Sequence, residues 1–79
     1  MNLWELPARQ SGHICELKNT LPESFRHRLQ DLGFMPGRRV TSVLAPSLGA
    51  PRLYQLDSAV YSLEQDVAMA IEVEPVTES

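Results

Sequence analysis

Residues 28–37, Arg-Leu-Gln-Asp-Leu-Gly-Phe-Met-Pro-Gly, constrain this chain more than any other stretch. They read as the end of an amphipathic helix, a glycine stop, an apolar lock and a tight turn into a strand. Leu21, Phe25, Leu29 and Leu32 recur at helical spacing and form one apolar stripe, which predicts Phe25, Leu29 and Leu32 in the core. Arg26, His27 and Gln30 fall off the stripe and are expected to be wetter. Gly33 supplies the left-handed residue that ends a helix at little steric cost, and Phe34 is placed to pack back on Leu29. Met35-Pro36-Gly37-Arg38 has proline and glycine at the central positions of a type II turn. So fixed a backbone path belongs to a scaffold and not to a catalytic centre.

Upstream, Thr20 and Glu23 have capping-box spacing, and Pro22 is tolerated because first-turn amides lack helical partners anyway. Residues 3–7 form an apolar lead-in stopped by Pro7, and residues 13–17 read as a short strand. Downstream the pattern becomes β-branched and alternating. Strands are expected at 40–45, 52–56 and 59–63, with a loop over 46–51 and a tight connection at Asp57-Ser58. Ser62 to Gln65 repeats the capping-box spacing and predicts a helical turn through residues 66–68. Residues 69–73 form a last strand.

With 79 residues there is room for one small domain, assigned to 1–75, with a polar tail at 76–79. A domain of this size buries only about 60% of the surface its unfolded chain exposes. Parallel crossovers each need a dozen or more residues, so the strands are expected to be antiparallel. The fold class is mainly β: a small barrel of about five strands with one inserted helix and a short C-terminal helical turn, since closure removes exposed strand edges.

Composition narrows the function. Hydrophobic residues make up 43% and charged residues 22%, an ordinary globular balance. The net charge of −3 disfavours nucleic acid, whose small binders carry a positive excess. A single cysteine excludes an intramolecular disulfide, and no apolar run nears the roughly 20 residues that span a bilayer. No basic region followed by an apolar segment marks a signal peptide, so a cytoplasmic protein is expected.

The run Arg28-Leu29, Leu32-Gly33-Phe34, Pro36-Gly37, then Val40 and Val43, then Ala45-Pro46, Leu48-Gly49 and Pro51, resembles the ferrous-iron transport protein A (FeoA) family. The match continues through Leu63, Asp66, Ala68, Ile71 and Val73 and covers nearly the whole chain. This resemblance implies an SH3-like barrel and a cytoplasmic accessory or regulatory role beside FeoB, the membrane protein that couples a GTP-binding domain to ferrous-iron transport. The same module occurs fused to metal-dependent repressors, so the fold alone does not assign the role. The chain departs from the family pattern at Arg9, where glycine is usual, and at Ser47, a one-residue insertion. Ala50 stands for aspartate, Ser58 for glycine and Glu64 for arginine.

Leu29, Leu32, Gly33, Phe34, Pro36, Gly37, Pro46, Gly49 and Pro51 are read as structural. For partner binding the candidates are Arg26, Arg28, Arg38 and Arg39, whose planar forks suit carboxylates, and Leu48 at a loop tip. Each has a bland counterpart: a solvated basic rim, Arg28 bonding loop carbonyls, Leu48 folding back on the barrel. Trp4 and Tyr54 are expected to pack in the core or at a barrel end. His13 and Cys15, two apart on a strand, could contact a divalent metal such as Fe²⁺, although a closed site needs about four ligands. No resident cofactor is expected. No nucleophile has an orienting base or oxyanion hole, and no G-x-x-x-x-G-K-[ST] phosphate loop is present, so the chain is expected not to be an enzyme. Two further readings stay open: a metal sensor or metallochaperone, and a peptide-binding barrel akin to those of the repressors.

Overall fold

The computed structural model describes residues 1–46 and 48–76. A 3-10 helix, Leu3–Glu5, leads into β1, Ser11–Leu17, and α1, Glu23–Leu32. Then come β2, Arg39–Leu44, β3, Arg52–Leu56, β4, Ala59–Leu63, α2, Gln65–Met69, and β5, Ile71–Pro75. The strands form one antiparallel sheet in the order β4-β3-β2-β1-β5. Inward residues of all five strands, among them Ile14, Val40, Tyr54, Leu63 and Val73, join one apolar cluster with Leu3, Leu6, Leu29 and Phe34. One sheet enclosing one core is the expected small barrel, although the expected removal of strand edges by closure is not met among the described residues. Among the described residues no ladder joins the two edge strands, β4 and β5, and α2 connects them across that seam.

The helix-to-strand junction follows its sequence. Gly33 adopts φ 107, and the Phe34 amide donates to the Leu29 carbonyl at 2.9 Å. Phe34 is fully buried and meets Tyr61 edge-to-face, with ring centroids 5.4 Å apart. The Arg38 amide donates to the Met35 carbonyl across Pro36 and Gly37, and Gly37 has φ 89, as a type II turn requires. β3 and β4 have the expected bounds. The last strand begins at Ile71, later than expected, because Met69 belongs to α2. Of the expected tail, residues 77–79 lie outside the described residues, and the Val76 amide donates to the Ser11 carbonyl.

Neither expected capping box forms. Pro22, which has no polar side-chain atom, occupies the cap position of α1, and Glu64 caps α2 without a side-chain bond because Ser62 is still in β4. The chain's capping box is in the lead-in, where Asn2 and Glu5 exchange bonds at 3.1 and 2.9 Å and make residues 3–5 helical. The lead-in is anchored further along. Arg52 lies 3.8 Å over the Trp4 ring and donates to the Trp4 carbonyl, while buried Tyr54 donates to the Leu3 carbonyl at 3.5 Å. Burial pushes the Tyr54 phenol up, with Arg52 acting in the opposite direction. Trp4 is half-buried at a barrel end and Tyr54 is core, as expected.

Candidate functional site

The largest departure from the periodicity lies on α1. Leu29 is 5% exposed, but Phe25 is 47% and Leu32 41% exposed, so neither is core. A 10-residue helix laid over a curved, narrow sheet has only its central line covered, and the flanks of its apolar stripe stay in water. Together with Leu21, Leu29, Leu63 and Val67 they line a hollow of about 510 Å³ between α1, the end of β4 and α2. Arg28 stands on its α1 wall, and Glu64 and Asp66 on its α2 side.

The five partner-binding candidates do not form one cluster. Arg28 is exposed at the hollow and, among the described residues, bonds no loop carbonyl. Arg26 is half-buried rather than wet and lines another depression with Glu16, His27 and Pro36. Arg38 pairs with Asp57 at the β3–β4 turn. Exposed Arg39 opposes His13 in the β1–β2 ladder. Leu48 is fully exposed and does not fold back on the barrel. Phe25, whose spacing predicts a core residue, instead lines the hollow. Three large apolar residues on so short a helix exceed what one thin core can cover.

His13 and Cys15 are both exposed, and the bulge between Ile14 and Glu16 interrupts strand alternation at Cys15. The Cys15 thiol is therefore not buried. His13 lies across from Arg39 and Glu74. Among the described residues no group of three His, Cys, Asp or Glu converges as a metal site would need. His27 pairs with Glu23 at 3.7 Å one helical turn away. Glu72 pairs with Lys18 at 3.2 Å and the Met1 amine at 3.3 Å. Chiefly through Lys18, these cations hold its carboxyl below the usual carboxylate range.

The FeoA domain family model matches residues 1–75. The chain belongs to the FeoA domain family. The family is associated with ferrous-iron transport. No curated protein matches by sequence. Among solved structures, FeoA of Stenotrophomonas maltophilia is similar at 29% identity and TM-score 0.84, the match covering 94% of this chain and 89% of that one. That protein was solved with zinc and is described as an SH3 domain protein and a candidate ferrous-iron transport activating factor. Iron(II) transport protein A of Clostridium thermocellum is similar at 28% identity and TM-score 0.86, over 96% of this chain but 46% of its own. A manganese-dependent transcriptional repressor is 20% identical at TM-score 0.82, over 96% of this chain and 41% of its own, a likeness of fold alone. The chain is thus SH3-like. No helix among its described residues is long and apolar enough to cross a membrane.

Proposed function

We propose that this FeoA protein is a non-enzymatic cytoplasmic accessory subunit of ferrous-iron uptake that binds the cytoplasmic GTP-binding part of FeoB. Family membership supports the process. The observation that carries the binding role is the hollow beside α1, where Phe25 and Leu32 lie exposed on either side of Leu29, with Arg28 at the rim. Large apolar side chains next to an arginine are the composition of an interface centre, not of a solvated face. Binding one conformation of the transporter better than another shifts its population and so biases nucleotide turnover or pore opening.

A pull-down with the cytoplasmic part of FeoB, with and without guanine nucleotide, tests this reading. The wild-type chain is expected to be retained, and the F25A/R28E double variant to lose at least about tenfold in affinity, the usual effect of truncating interface anchors. No retention in either nucleotide state overturns the role.

A further inference from the structure

The hollow also borders an unused strand edge. Leu56 and Ala59 face each other across the two-residue turn Asp57-Ser58, so they exchange both ladder bonds. Alternation then makes Tyr54–Tyr61 and Arg52–Leu63 the other bonded pairs. The N–H and C=O groups of Val60 and Ser62 therefore point away from β3. β4 is an edge strand, and among the described residues nothing bonds these outward groups. Ser62 and Leu63 face opposite sides of the sheet, yet both line the hollow. A hollow reached from both faces meets the edge at its Ser62–Leu63 end. α1 runs beside that edge, with Leu32 near Tyr61, whose hydroxyl donates to the Leu32 carbonyl at 3.5 Å. Thr20, Leu21, Pro22 and Phe25 line the same hollow as the α2 residues Asp66 and Val67.

We propose that an extended segment of a protein partner adds to the free edge of β4 as a sixth strand, seating an apolar side chain in the hollow against α1. Main-chain bonds to Val60 and Ser62 supply affinity, and the side-chain hollow supplies selectivity. Charge complementarity defines the occupant. An acidic side chain meets Arg28, which is unpaired among the described residues, and a basic one meets Glu64 and Asp66 at the α2 end. A docked helix has no free main-chain groups to offer this edge and leaves Val60 and Ser62 unbonded. The proposal deepens the partner reading above by naming the mode of contact.

The test uses the full chain, ¹⁵N-labelled, with two probes. One is an acetylated, amidated peptide of alternating valine and threonine with a central glutamate and a lysine at each end. The other is the cytoplasmic part of FeoB. Strand addition predicts that amide exchange at Val60 and Ser62 slows by about tenfold or more with either probe. Tyr61 and Leu63, already bonded to β3, serve as internal references, and the N-methylated peptide is expected to give no protection. Binding of FeoB without protection at Val60 and Ser62 overturns strand addition and leaves the partner reading intact. Protection by the peptide with no binding of FeoB does the reverse. Failure of both probes to bind overturns both.

Discussion

Arg9 has φ 68, in the left-handed region that costs a residue with a Cβ roughly 1–2 kcal/mol. Its position is one where the FeoA pattern carries glycine, so this chain retains the backbone path and bears the strain. The turn is held because the Arg9 amide donates to the Ser42 carbonyl and the Ser42 amide to the Gln10 carbonyl. R9G is expected to stabilise the fold by about 1 kcal/mol, read as a rise in Tm of about 4–8 °C for a domain of this size. An unchanged or lower Tm would show that the Arg9 side chain stabilises the turn by as much as its backbone strains it. Gly33 shows the complementary case. It combines φ 107 with a neighbour, Leu56 Cδ2, 2.9 Å from where a Cβ would sit, so both conformation and space reserve it for glycine.

On the scale of the element, α1 carries two kinds of leucine that its sequence does not distinguish. Leu29 is enclosed, and L29A is expected to cost about 2–5 kcal/mol. Leu32 and Phe25 are nearly half exposed, so L32A and F25A are each expected to cost less than about 1.5 kcal/mol, below a full core truncation. Urea unfolding of the three variants checks the ranking, and an F25A loss equal to that of L29A would return Phe25 to the core. The helical period of 3.6 was legible and placed Phe25, Leu29 and Leu32 in a stripe on one helix, whereas Leu21 precedes it. How wide a band of that stripe is covered depends on the curvature of the sheet beneath, which local spacing does not encode. The caps failed for a related reason. Capping-box spacing at Thr20 and at Ser62 required each helix to begin two residues earlier than it does, and at Ser62 the chain is still in β4.

For the whole molecule, the two ends of the described chain are joined through β5. The Val73 amide donates to the Met1 carbonyl at 2.8 Å, and Glu72 pairs with both Lys18 and the Met1 amine. Because the folded carboxyl of Glu72 titrates below its ordinary value of 4.5, its pairing stabilises the fold above that value. The contribution is lost as pH falls through the lowered folded value. E72Q is therefore expected to be less stable than wild type at neutral pH, with the gap closing as pH falls below 4.5 and through the lowered folded value. Urea midpoints between neutral pH and about pH 3 give this comparison, and a gap independent of pH would assign the loss to packing instead.

Local chemistry by itself determined the helix stop at Gly33, the Met35–Arg38 turn, the bounds of β3 and β4 and the family that these together mark. Each is set by steric and hydrogen-bonding rules acting over a few neighbours. Only the tertiary structure decided that Phe25 and Leu32 stay in water, that Arg38 pairs with Asp57 while Arg28 stands at a hollow, and that β4 ends the sheet with the outward main-chain groups of Val60 and Ser62 unbonded among the described residues. Exposure, ion pairing and edge status depend on which distant segments arrive at a given face, and no spacing within one element carries that information.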